Sequence, residues 1–329
     1  MINHRLFDHY GIDTEKNLGI SRRCPKPFDT LLIDKLGGCY ACECESWLPQ
    51  SIGNLQTLEL DDILCSPVRN HLKDSILDGT YRYCNQKQCS YLRSGKVGNR
   101  TPEKIENLRL AIDDSCNLRC PSCRTRLIFH KDGGMVERGK KLSDKINSWL
   151  LRQDHDLKVH IGSNGDPFAS YVYRHFMKHT PRKNNIKYSL LTNGLMFSEF
   201  HVGVPNIVDN LTELGLSIDG ATKHTYEKLR LGGKWEKIIE NIEQMSALKA
   251  KKKFKWAWHV VVQEDNWFEM PQMVELGHRY GVDRIYFNRI QDWNTGLDFQ
   301  KQIFHTKKEF KELVKHIETD KLAMTYSLS

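Results

Sequence analysis
From residue 108 onward, short apolar runs alternate with longer stretches whose apolar residues recur at helical spacing. The runs are Leu108 to Asp113, Lys158 to Ile161, Tyr188 to Leu191, Leu214 to Ile218, Ala257 to Val262 and Arg284 to Asn288. Runs of this length, bounded by turn residues, predict strands. Between them, Lys234 to Leu248 places Ile238, Ile239, Ile242 and Met245 on one face and predicts a helix. Strands alternating with helices predict an α/β fold built on parallel strands. Residues 1–100 carry no such repeat and are thin in apolar side chains, so a small domain held together by metal is expected there. The expected division is a cysteine-rich domain over 1–100, then the repeats over 101–329 with a C-terminal helical extension.

Composition narrows the class. Of 329 residues, 39% are hydrophobic and 27% charged, as in an ordinary water-soluble enzyme. No stretch reaches the ~18 to 20 apolar residues of a membrane span, and Met1 to Tyr10 lacks the features of a signal peptide. A cytoplasmic protein with no membrane partner is expected. All ten cysteines lie at or before Cys123. Disulfides in a large enzyme would not be confined this way, whereas reduced thiols gathered for metal would. The formal charge of +8 owes much to Lys249, Lys251, Lys252, Lys253 and Lys255. Lysines behind a helix complement its dipole, so a solvated helix end is favoured over a nucleic-acid surface.

Cys116, Cys120 and Cys123 form a CxxxCxxC group directly behind the first run. Three thiolates on one loop hold three corners of an iron-sulfur cluster and leave one iron open. A zinc site would need a fourth Cys or His nearby, and Arg124 to Phe129 supplies none. Ferredoxin loops use a tighter C-x2-C-x2-C spacing.

With this spacing in this place, the chain resembles the radical S-adenosylmethionine (SAM) enzymes. The resemblance implies a partial (β/α)6 barrel, an open 4Fe-4S cluster that chelates SAM, and a 5′-deoxyadenosyl radical that takes hydrogen from a substrate. Chemistry at the C-terminal strand ends is then expected, as in full barrels. Gly162-Ser163-Asn164-Gly165-Asp166-Pro167 resembles the family's Gly-Glu-Pro segment, with Asp166 in place of Glu. It implies SAM amine contacts at Asn164, Gly165 and Asp166, more through backbone than side chain. Thr192-Asn193-Gly194 matches the family's Thr-Asn-Gly, and Ser217-Ile218-Asp219-Gly220 resembles a run whose serine and aspartate contact SAM or substrate. Arg230, followed by Leu231-Gly232-Gly233, is similar to an arginine that pairs with the SAM carboxylate. Val260 to Gln263 and Tyr286 to Asn288 fall where the family packs adenine, with Val262 the named candidate and plain strand core the rival reading.

The front resembles the SPASM and twitch modules that carry auxiliary iron-sulfur clusters. Cys24, Gly37 and Cys42 read C-x12-G-x4-C, and Cys84-x4-Cys89 follows. The resemblance implies a hairpin from Phe28 to Tyr40 turning at Gly37-Gly38, and a second cluster on Cys24, Cys42, Cys84 and Cys89. Cys44 is an alternative to Cys42, Cys39 and Cys65 are bystanders, and zinc is the rival metal. In the family this module usually follows the barrel, whereas here it precedes it, and its second half is reduced.

The function expected is reductive SAM cleavage and hydrogen abstraction from a peptide or protein side chain. An electron donor such as flavodoxin or ferredoxin is implied. The alternatives are a small-molecule dehydrogenase, a nucleotide- or tRNA-modifying enzyme, and a binding protein stabilised by zinc or inert clusters.

Overall fold
The computed structural model describes residues 2–292 and 295–326. The chain divides into two compact units, one of Met1–Asp113, Asp132–Asn164 and His175–Lys187, the other of Asp114–Lys131, Gly165–Arg174 and Tyr188–Ser329.

In the first unit, β1 (Thr30–Asp34), β2 (Gly38–Tyr40) and β3 (Ser51–Asn54) form an antiparallel meander. The turn at Gly37 is the one the sequence predicts. Its φ of +78° is left-handed, and a Cβ there would lie 2.9 Å from the Asn54 side chain, so glycine is required. Asp34 closes the turn by accepting from the Leu36 and Gly38 N–H groups at 2.7 and 2.8 Å. β1 then pairs in parallel with β4 (Asn107–Ala111), which pairs in parallel with β5 (Leu157–Ile161). The front hairpin thus continues the sheet of the first two predicted strands. Phe28, Ile76, Tyr81 and Val97 make a small apolar cluster in this unit, with Cys24 and Cys84 packed against it.

In the second unit, β6 (Ile186–Thr192), β7 (Leu211–Ser217), β8 (Lys255–Val262), β9 (Arg284–Arg289) and β10 (Ala323–Tyr326) pair in parallel, each with the next. The six predicted strands are therefore present as β4 to β9, in an α/β fold. Alternating positions of β7 to β9 bury Leu214, Leu216, Trp256, Trp258, Ile285 and Phe287. The predicted helix runs Trp235–Lys251 and buries Ile238, Ile242 and Met245. Its terminal lysines are partly neutralised: Lys249 meets Asp283 at 2.6 Å and Lys252 meets Asp209 at 2.7 Å. This fits a helix end better than a nucleic-acid surface. The C-terminal extension is not helical alone. Helix Lys308–Ile317 leads into β10, whose short Ala-Met-Thr-Tyr run is too weakly apolar to stand out as a strand. No helix among the described residues is long and apolar enough to cross a membrane.

Candidate functional site
The CxxxCxxC loop belongs to the second unit, and contacts both within the loop region and from far downstream fix its shape. The Cys116 N–H donates to Ile128 O at 2.8 Å, the Arg119 N–H to Leu231 O at 3.0 Å, and the Arg124 guanidinium to Asp114 O at 3.0 Å. Cys116 and Cys120 are buried, whereas Cys123 is exposed.

Every thiol has a donor or a cation beside it. The Leu118 N–H and the Asn193 amide approach Cys116 Sγ at 3.4 and 3.5 Å. Arg230 Nη1 lies 3.9 Å from Cys120 Sγ. Arg124 stands beside Cys123. Burial, aided by Asp166, pushes the Cys116 thiol up to about 11. Burial also raises Cys120, and the Arg230 guanidinium opposes it. Thiols of this kind are deprotonated when they ligate metal, and the adjacent donors stabilise the anion that results.

Asp166 is the hub behind the loop. It is 1% exposed. One oxygen accepts from the Phe168 and Ala169 N–H groups, both at 3.0 Å. The other accepts from the Thr192 hydroxyl at 2.8 Å and the Asn193 N–H at 2.7 Å. Its own N–H donates to Ser115 O at 2.8 Å, tying it to the cysteine loop. Its carboxylate oxygens are thus committed to the protein itself. The resemblance to Gly-Glu-Pro implied a carboxylate facing a ligand amine, with backbone contacts carrying more of the weight. The Asp166 side chain here is occupied holding the turn after β6. Gly165 has a left-handed φ of +66°, and Asn164 is exposed.

Arg230 and Asp219 form a buried ion pair, Nε to Oδ2 at 2.7 Å, with side-chain exposures of 10% and 1%. The contact is electrostatic more than an aligned hydrogen bond, since Nε points at no acceptor. Asp219 Oδ1 accepts from the Val261 N–H at 2.8 Å. Ser217 is half-buried at the end of β7, and Val262 is fully buried at the end of β8, as strand core would be.

Sequence reasoning missed three side chains that hold this region. The Asn241 amide donates to Gly194 O and Leu195 O at 2.7 and 2.9 Å, clamping the Thr-Asn-Gly turn from the helix behind it. Asn266 donates to Asp219 O and Val261 O, both at 2.9 Å. Glu269 accepts from the Ala221 N–H and from the hydroxyls of Thr222 and Thr225. The signal for Asn241 was available: it is a polar residue inside the apolar stripe of its helix.

In the first unit, Cys24, Cys42, Cys84 and Cys89 line one cavity, together with Tyr81 and Tyr91. Cys44 is absent from this lining and lies 3.2 Å from Ser46 Oγ. Cys39 is buried against Gly37 O, and Cys65 is exposed. Burial raises the thiols of Cys24 and Cys84, and the neighbouring cysteine charges add to it. Tyr81, at the positive φ of 51°, bridges this site by accepting from the Cys24 N–H and donating to Arg22 O. Among the described residues no three His, Cys, Asp or Glu side chains converge on one metal ion. Four thiols spread round a cavity suit a cluster, in which each thiolate holds a different iron. The three thiols of the second unit suit a cluster with one open corner.

No protein-family model matches the chain. A GTP 3′,8-cyclase of Hydrogenovibrio crunogenus is 24% identical over 227 residues, 68% of this chain and 66% of that protein. A probable GTP 3′,8-cyclase of Methanococcus maripaludis is 25% identical over 149 residues, 44% of this chain and 47% of the relative. The chain therefore spans about two thirds of the length of the first of these curated relatives and just under half of the second. Among solved structures, Streptococcus suis SuiB bound to its precursor peptide SuiA is similar at a TM-score of 0.47 and 12% identity, over 67% of this chain and 48% of that one. The enzyme anSMEcpe with bound AdoMet is similar at 0.41 and 18%, over 64% and 59%.

Proposed function
We propose that this chain, which belongs to the radical SAM superfamily, cleaves SAM reductively and abstracts a hydrogen atom from its substrate. The observation that carries this reading is the three-cysteine loop with a donor or cation beside each thiol. A cluster held by Cys116, Cys120 and Cys123 would supply the electron that breaks the sulfonium bond of SAM. The chain's residues do the rest. Asn193 and Arg230 favour the thiolate form of Cys116 and Cys120. Asp166 and Asn241 fix the turn after β6, and exposed Ser163 and Asn164, followed by Gly165 with no side chain, leave room for a ligand to approach.

Cys24, Cys42, Cys84 and Cys89 are proposed to hold a second, auxiliary iron-sulfur cluster, with Cys42 favoured over Cys44 because it faces the shared cavity. The module resemblance supports a peptide or protein side chain as substrate. A second reading, a nucleotide substrate, is favoured by the curated relatives, which are named for a reaction of GTP. The anaerobically reconstituted and reduced protein should convert SAM to 5′-deoxyadenosine and methionine. The Cys116/Cys120/Cys123→Ala variant should not, and unchanged product in that variant would sink the assignment. Deuterium carried from labelled GTP or from a labelled peptide pool into 5′-deoxyadenosine distinguishes the two substrate readings.

A further inference from the structure
The resemblance would give Arg230 to the SAM carboxylate, yet the geometry commits most of its fork elsewhere. Its Nε faces Asp219 Oδ2 at 2.7 Å, and its Nη1 faces Cys120 Sγ at 3.9 Å. The guanidinium therefore bridges a cluster-loop thiol and a buried carboxylate. That carboxylate is itself anchored: Asp219 accepts from the Val261 N–H, and its backbone carbonyl accepts from Asn266. The Arg119 N–H donates to Leu231 O, so the segment carrying Arg230 is also bonded to the loop through backbone. A bidentate clamp on a ligand needs two parallel N–H groups on one edge, whereas here the Nε side is taken up by the Asp219 ion pair and Nη1 faces the Cys120 sulfur.

We propose that Arg230 is a positioning residue which ties Cys120 to Asp219 and sets the reduction potential of the cluster in the three-cysteine loop. This rests on the cluster assignment above. A cation beside a ligating sulfur stabilises the reduced, more negative cluster and raises its potential, and a nearby carboxylate does the opposite. Arg230 and Asp219 are thus opposed controls on one redox centre, placed so that the buried pair leaves little net charge beside the sulfur. Their removal singly should move the potential in opposite directions, which simple packing would not produce.

The test uses the full chain, reconstituted anaerobically, as wild type, Arg230→Gln, Asp219→Asn and the charge-neutral double variant. Potentials are read by redox titration followed by electron paramagnetic resonance, after subtracting the spectrum of the Cys116/Cys120/Cys123→Ala variant. SAM affinity is measured separately by titration of the oxidised protein. The expected result is a more negative midpoint in Arg230→Gln, a more positive one in Asp219→Asn and a value near wild type in the double variant. SAM affinity should stay within about threefold throughout, since neither side chain is given a contact with SAM. Unshifted midpoints with a tenfold or greater loss of SAM affinity in Arg230→Gln would overturn the proposal and return the arginine to the ligand. If Arg230→Gln does not fold, Asp219→Asn decides alone, because an unshifted midpoint there also overturns it. A wild type that assembles no cluster in this loop would instead refute the functional assignment.

Discussion
Asp166 offers the sharpest test of how the site is built. It receives four hydrogen bonds in a buried setting, from the N–H groups of Phe168, Ala169 and Asn193 and the hydroxyl of Thr192. A buried donor left without a partner costs about 1 to 3 kcal/mol. Asp166→Ala strands all four, for a total of roughly 4 to 12 kcal/mol by the same figure. That range overlaps the entire ~5 to 15 kcal/mol that holds a typical domain folded, so this variant should fail to accumulate. Asp166→Asn is more informative. Its one remaining oxygen can serve Phe168 and Ala169, while its NH2 group then faces the Asn193 N–H and the Thr192 hydroxyl. Thr192 could turn to accept from that NH2 group as well as from the Gly194 N–H it already serves at 3.0 Å, but its own hydroxyl proton would then lose its partner. Two donors are lost, although burial already pushes the Asp166 carboxyl above its usual range and removing the charge recovers part of that cost. The net expectation is a loss of roughly 2 to 4 kcal/mol. Urea unfolding followed by tryptophan fluorescence reads it, since Trp256 and Trp258 are fully buried in the same unit. SAM titration of the folded protein supplies the contrast. A variant as stable as wild type but tenfold weaker for SAM would refute the hub and make the carboxylate a ligand to the amine.

Other outcomes follow from the same geometry. Removing Cys84 or Cys89 should halve the iron content and lower the melting temperature, while the Cys116/Cys120/Cys123→Ala variant should keep about four irons if the front holds one 4Fe-4S cluster; stoichiometric zinc there would make the front a structural zinc domain. His160 is half-buried beside Arg109, Lys158 and Lys26, and its partial burial followed by these charges pushes its imidazole down to about 3. A histidine kept neutral in the fold but protonated when unfolded gives stability that is full above about 6.5 and lost as pH falls from there towards 3, by ~1.4 kcal/mol per pH unit. His160→Gln should flatten that slope in urea melts at pH 7 and pH 5, and an unchanged slope would refute it. A Cβ on Gly220 would lie 2.4 Å from the Tyr226 backbone nitrogen, so Gly220→Ala should cost at least the ~1 to 3 kcal/mol of an overpacked core and be visible as a lower urea midpoint.

The strands of the α/β fold were legible because each is a compact apolar run between turns, and β4 to β9 fall within a few residues of Leu108, Lys158, Tyr188, Leu214, Ala257 and Arg284. The hairpin at Gly37 was legible because only glycine suits its turn. What spacing could not reveal is which partner a polar side chain takes. Asp166 and Arg230 occupy the positions the family pattern marks, but their bonds run to Thr192, Asn193 and Cys120, far away in sequence, and to Asp219 eleven residues back. Glu269 and Asn266 lie in no motif, and their worth comes from loop carbonyls, N–H groups and hydroxyls that a linear reading cannot bring together. β10 was missed because four residues of mixed polarity gain their strand character from pairing with β9.

The shielding of the cysteine loop also sets an order for biosynthesis. Asn193 covers Cys116 from 77 residues downstream, and Arg230 reaches Cys120 from 110 residues downstream. At a translation rate of about 5 to 20 residues per second, the loop leaves the ribosome roughly 5 to 20 s before its last guard is made. During that interval the thiols stand open to oxidants and to any soft metal in the cell. Loading of iron and sulfide is therefore best timed after β7 and the helix Lys223–Leu229, which Asp219 and Arg230 closely follow, have folded, when the correct cluster can be enclosed and a wrong ion has less chance to be trapped.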